Sequence, residues 1–348
     1  MNASTFDGDT APRAVAAPHP THKLQLLLKR EFWEHKGGFF WAPLVAGAIS
    51  LLLTTMAIIV AEVVARRAMA DGELNIDDQV QINGLDLGAL TGRLEPEHMQ
   101  QLADGIDMSL FMSASWPFIV LGFVVFFYCL GALYDDRKDR SVLFWKSLPL
   151  SDRDTVVSKA LSALVVAPLV ATAAALVTMV GFLLLISLVV LAHGGNPYTL
   201  VWGPGSPLEV VAKLIAAVPV YAMWALPTVG WLMLCSAWAR SKPFLWAVMI
   251  PVFAGIFVAW FDIMNLFNLD TAWFFQHVVA RSLLSVFPGF WLTASDSLQI
   301  NGPDAVGDIL SLSHTYSVLK SPQLWIGAVA GIAMLVGAIR LRRWRDDN

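Results

Sequence analysis

Charge is what this sequence has least of. Aspartate, glutamate, lysine and arginine make up 14% of its 348 residues, against roughly 25% in an average soluble domain. Hydrophobic residues make up 57%, more apolar surface than a water-soluble core of this length needs. The composition therefore defines a polytopic membrane protein. Cysteine is nearly absent. Cys129 and Cys235 both fall inside apolar runs, where they read as lipid-facing or helix-packing residues and not as a disulfide or metal site. No Gly-Lys pair occurs anywhere, which excludes the P-loop and with it ATP hydrolysis by this chain in the usual way. The seven histidines are scattered, with no HExxH pattern, so nothing points to a metal or haem site.

Membrane-embedded catalysis also lacks its parts. An intramembrane protease needs a nucleophile with a base, or two aspartates, inside the bilayer. Tyr134-Asp135 has the look of half an aspartyl-protease signature, but no GxGD lies on a later run. Asp135 is followed at once by Asp136, Arg137 and Lys138, as at a helix end in water. Gly203-Pro204-Gly205-Ser206 sits in a loop with no companion histidine on a span. The runs carry almost no ionisable residues at mid-depth, where ion-coupled pumps and transporters place Asp, Glu or His. A driving force for transport is expected from another chain.

What is present is a set of apolar runs long enough to cross the hydrocarbon at 1.5 Å per residue, which takes about 20 residues. They fall at 39–61, 111–133, 161–192, 214–239, 244–261 and 322–341. The third exceeds one perpendicular crossing and is expected to tilt or protrude. Pro168, Pro219, Pro227 and Pro251 lie inside runs, where neighbouring helices satisfy the freed carbonyls. Ahead of the first run, residues 22–38 repeat Leu24, Leu28 and Phe32 at four-residue spacing among Lys23, Lys29, Arg30 and Lys36. This pattern suits an interfacial amphipathic helix in the headgroup layer; a helix packed on protein is the alternative. Gly37-Gly38 permits a sharp turn into the membrane. Residues 1–21, rich in Ala, Pro, Thr and Asp, read as a disordered tail with no cleavable signal peptide, leaving the first run as its own insertion signal.

Lysine and arginine set the orientation. With the amino terminus inside, 17 of the 23 fall on the cytoplasmic face, and only Arg66, Arg67, Arg93, Lys213, Arg281 and Lys320 fall outside. Both termini, including the tail 342–348, are expected in the cytoplasm. Residues 262–291 are apolar enough for a seventh span, yet a full crossing would put the basic tail outside. A re-entrant segment that enters and leaves by the outer face keeps the parity. His277 and Arg281 there are four apart and share a face expected to turn to water; a pair of buried functional charges is the alternative. Residues 66–110 form an acidic extracytoplasmic loop, read as a solvated face or as an attractor of cations.

The most elaborate segment is 134–159, which holds eleven charged residues between two apolar runs. Such an island lies in water at one membrane face. Its charged ends flank Phe144-Trp145 and a Leu148-Pro149 break, which suits a grip for a soluble partner. A basic loop that merely satisfies the charge rule is the plainer alternative.

The stretch Tyr134-Asp135-Asp136-Arg137-Lys138-Asp139-Arg140-Ser141, then Phe144-Trp145-Lys146-Ser147-Leu148-Pro149, then Ser151 through Lys159, resembles the permease subunits of ABC-2 type ABC transporters. Many bacterial members have a similar Y-x-D/E-R-K-D-x-S, F-W-K-S-L-P, S-D…S-K stretch after their second span. The layout is similar along the rest of the chain, and implies an all-α membrane protein of six transmembrane helices, ABC-2 or type V exporter-like. It would carry an N-terminal interfacial helix and an extracytoplasmic re-entrant segment before the last span. The resemblance implies that 134–159 is a coupling loop for a separate ABC ATP-binding subunit. Its coupling residues would be Tyr134, Asp135, Asp136, Arg137, Lys138, Asp139, Phe144, Trp145, Lys146, Leu148, Pro149, Ser151 and Lys159. Phe144, Trp145 and Leu148 would fill a groove, Pro149 would end the helix, and the charged flanks would set register at the rim. ATP and Mg would sit on the partner, with no cofactor, metal or catalytic residue on this chain. The further partners implied are a second permease copy or paralogue and membrane lipids, with no nucleic acid, in a bacterial inner membrane. A membrane-embedded enzyme, such as a protease, and a non-transporting anchor that recruits a cytoplasmic partner are the competing readings.

Overall fold

The computed structural model describes residues 20–70, 96–139, 151–264, 270–294 and 311–345. These are helices and turns, with no strand among them. The order is α1 (Pro20–Glu34), α2 (Ala42–Ala70), α3 (Pro96–Gly131), α4 (Tyr134–Lys138), α5 (Asp152–Leu161), α6 (Ala167–Ala192) and α7 (Pro207–Trp238). Then follow α8 (Pro243–Ile263), α9 (Thr271–Phe274), α10 (Ala280–Leu284), α11 (Leu312–Ser317) and α12 (Pro322–Arg345). Among the described residues six stretches are long and apolar enough to cross a membrane: Gly37–Ala68, Met99–Lys138, Asp152–Ala192, Pro207–Trp238, Pro243–Ile263 and Pro322–Trp344. The chain is a multi-pass, all-α membrane protein.

Several helices outrun the apolar segments that mark them in sequence, because polar flanks also support helix. The third candidate span opens at Asp152 and not near residue 161. Ser151 caps it, its Oγ accepting from the Asp154 amide at 3.1 Å, and Asp152 and Asp154 in the first turn face the positive end of the helix dipole. That span then runs unbroken to Ala192 through a wide π turn, Ser162–Val166, placed just before Pro168. The same device, Gly37–Trp41, precedes Pro43. Proline lacks an N–H and crowds the carbonyl four residues back, and in both cases that carbonyl lies within the wide turn. Gly37-Gly38 thus continues a helix instead of breaking it, and Gly38 lets Val124 approach within 3.2 Å of where a Cβ would stand.

The core is centred on α7. Tyr221, Trp224, Leu232 and Met233 meet Leu121, Val125 and Cys129 of α3, with Ala163, Ala167 and Ala171 of the third candidate span filling between them. Both cysteines are buried and free, in helix packing. The most extensive pairing among the described helices is α7 with α12. It rests on Gly230 and Gly331, while Gly327, one turn earlier on α12, makes room chiefly for the Arg281 guanidinium. A Cβ at Gly230 would stand 2.4 Å from the Gly331 carbonyl oxygen, and one at Gly331 2.5 Å from the Leu226 backbone. Small residues let two helix backbones touch where lipid offers no hydrophobic drive. Outward, α2 and α8 present Leu52, Met56, Ile59, Phe253, Phe257 and Trp260, side chains suited to lipid.

The segment from Thr271 to Leu284 is helical through a π turn. Its 14 residues reach about 21 Å, short of the roughly 30 Å hydrocarbon core. The structure corrects one expectation here: His277 and Arg281 do not turn to water together. Arg281 is buried, its guanidinium 3.5 Å from the centre of the Trp224 ring. It donates to the carbonyls of Trp224 and Gln323 and to Ser285 Oγ at 3.3–3.5 Å. His277 is only partly covered, stacked on Trp273 and 2.9 Å from the Gln323 side-chain amide. Among the described residues an aromatic face, backbone carbonyls of α7 and α12 and a serine hydroxyl surround the guanidinium, a partner set that i,i+4 spacing cannot reveal.

Candidate functional site

At one end of the bundle five elements converge on a buried charge junction. Its centre is Glu31 of α1, 1% exposed. Glu31 follows Leu27 and Leu28 by four and three residues, so it lies on the apolar stripe that turns α1 toward the bundle. Leu26 and Trp33, off that stripe, are exposed and suit the headgroup layer. The structure therefore packs one face of α1 on protein and leaves the other for lipid. Tyr128 Oη of α3 donates to Glu31 Oε2 at 2.9 Å, and His35 closes the pocket edge-on to the Tyr128 ring.

Lys159 of α5, also 1% exposed, places its Nζ 3.2 Å from Glu31 Oε1 and 3.6 Å from Asp136 Oδ1 of α4. The other oxygen of Asp136 meets Arg342 Nη1 of α12 at 3.5 Å, while Arg342 Nε binds Asp152 Oδ1 of α5 at 3.1 Å. Arg30 adds a contact to Glu31 at 3.1 Å. Three carboxylates thus alternate with three cations. Balance of this kind is what makes burial tolerable, because an unpaired ion out of water costs several kcal/mol.

A second lock holds α4 against α7. Helix α3 ends at Gly131 and the chain turns before α4. The freed amides of Leu133 and Tyr134 donate to Ser236 Oγ at 3.0 and 2.9 Å, and that hydroxyl donates to the Leu130 carbonyl at 2.7 Å. One serine therefore satisfies three orphaned helix-end groups. Arg137 reaches the carboxyl end of α7, donating to the Ser236 and Ala239 carbonyls, where a cation is favoured by the helix dipole.

Of the residues singled out in sequence, Asp136, Arg137 and Lys159 enter this junction, and Tyr134 enters through its backbone. Asp135, Lys138 and Asp139 are exposed along α4 and its end, and Ser151 is the exposed cap of α5. Phe144, Trp145, Lys146, Leu148 and Pro149 lie outside the described residues. Asp136 and Lys159 are not rim charges as expected; they are buried and paired with each other. Sequence reasoning passed over Glu31, Tyr128, Asp152, Ser236 and Arg342. The available signals were a carboxylate on the apolar stripe of α1, and an arginine one turn beyond Ala338, which is itself fully buried.

Among the described residues no three His, Cys, Asp or Glu side chains group to hold a metal. The junction fits mechanical fixing of a segment between helices. Comparison with protein-family models, with curated proteins and with solved structures finds no match.

Proposed function

We propose that this chain is the membrane permease subunit of an ATP-driven exporter of the ABC-2 type, gripped by a separate ATP-binding subunit through residues 134–159. The observation that carries the reading is the charge junction. Asp136 near the start of that segment and Lys159 at its end are joined to each other, to α1 through Glu31 and to α12 through Arg342. A push on a loop framed this way passes into several helices at once and is not lost in a hinge. The absence of a Gly-Lys pair and the likeness of 134–159 to ABC-2 permeases point the same way. ATP and Mg then sit on the partner. The lysine and arginine bias assigns the junction end and both termini to the cytoplasm, in a bacterial inner membrane. A second permease copy or paralogue completes the assembly.

Co-expression with the P-loop ATPase encoded by a neighbouring reading frame tests this. The two chains are expected to co-purify, and Phe144→Ala with Trp145→Ala to release the ATPase while membrane insertion persists. Loss of buried aromatic anchors costs about 2 kcal/mol or more at an interface, roughly thirtyfold in affinity. Asp139→Asn is expected to do much less. A double variant that retained the full complex would contradict the assignment.

A further inference from the structure

At the opposite end from the charge junction, α3, α7 and the turn after α10 enclose a cavity of about 800 Å³. Its inner wall is aromatic and apolar, with Phe118, Leu121 and Trp291. Trp291 is 7% exposed, and its indole N–H, a donor in the wall, meets no acceptor among the described residues. The rim carries Asp104, Asp107, Glu209 and Lys213. Lys213 is engaged by Glu209 at 2.9 Å. Asp107 accepts only the neutral Ser206 amide, at 2.8 Å, and Asp104 is exposed without an ion pair among the described residues. Three carboxylates and one ammonium therefore leave the described rim net negative.

Depth separates the two linings. Along α3, Leu121 lies about 15 Å from Gly131 and Asp107 about 36 Å, at 1.5 Å per residue. With a hydrocarbon core of about 30 Å, the aromatic wall sits near mid-membrane and the acidic rim at the headgroup level. An anion is repelled at that rim, and a small hydrophilic cation gains nothing from the wall. A molecule with an apolar body and one positive charge is favoured by both, and the volume is that of sites for drug-sized ligands.

We propose that this cavity binds cations with an extended apolar tail, the head at Asp104 and Asp107 and the tail reaching Phe118 and Trp291, Phe118 lying about 16 Å deeper than Asp107 along α3. Binding stands apart from the permease reading; only the role of such a molecule as transported cargo rests on it. The test uses the purified full chain in nanodiscs, without any ATPase, and the chain-matched probes dodecyltrimethylammonium and dodecyl sulfate, whose charge sits at one end of an extended apolar tail. The cation is expected to bind saturably, and more weakly as salt rises; the anion is not. Asp104→Asn with Asp107→Asn is expected to weaken cation binding about tenfold. Ala217→Trp, which fills the cavity from α7, is expected to abolish it, while Val329→Trp on the exposed face of α12 leaves it intact. Equal saturable binding of both ions, or cation binding indifferent to the asparagine pair, would overturn the proposal. The asparagine pair decides alone should Ala217→Trp fail to fold. ATPase binding to the 134–159 loop is untouched by either result.

Discussion

Glu31 and Lys159 carry the sharpest prediction at the scale of single residues. Each is almost fully buried, and Lys159 serves two carboxylates. Lys159→Met leaves Glu31 and Asp136 in a dry site with one cation fewer, so it is expected to destabilise the chain by about 3–5 kcal/mol. Glu31→Gln combined with Lys159→Met removes both charges of one pair and is expected to cost clearly less than Lys159→Met alone. Thermal unfolding of the three variants in one detergent reads the difference. Equal losses would show that shape and not charge holds the junction. Lys159 was legible as one charge of an island, but not as a buried one. Spacing speaks within a single helix, whereas Glu31 and Arg342 arrive from elements more than 120 residues away on either side of Lys159.

Among elements, the seam between α7 and α12 depends on Gly230 and Gly331. Gly331→Leu would drive a side chain into the Leu226 backbone, so the helices must part. Such overpacking costs about 1–3 kcal/mol or more. The expected outcome is a lower unfolding temperature and weaker retention of Arg342 at the junction, whereas Gly105→Leu, with open space around its Cβ position, should be mild. The positions of the long helices could be read from their apolar runs because lipid demands continuous apolar surface. Their ends could not. Ser151 as a cap and Ser236 as a three-way clasp are polar choices made by tertiary neighbours. In the helical segment from Thr271 to Leu284, the burial of Arg281 against Trp224 was beyond any periodicity argument.

For the whole molecule, orientation follows from where the cations lie. Single cysteines introduced at Asp78 and Asp304 are expected to react with an impermeant thiol reagent from outside intact cells, and one at Asp139 is not. A reporter fused at Ser297 should likewise read as extracytoplasmic. Labelling at Asp139, or a cytoplasmic signal at Ser297, would require a different pairing of spans. Membrane class and the six apolar helices were plain in composition and run length. The cavity was not, since its rim and wall come from segments that meet only in the folded bundle.

ATP hydrolysis measured with the purified chain, with its co-expressed ATP-binding subunit, and with the Phe144→Ala, Trp145→Ala variant decides whether the chain is a permease driven by a partner ATPase. The account predicts no turnover by the chain alone. It predicts turnover by the complex, tied to transport, and loss of the complex or of that tie in the variant. Hydrolysis by the chain by itself, or undiminished coupled turnover in the variant, would contradict it.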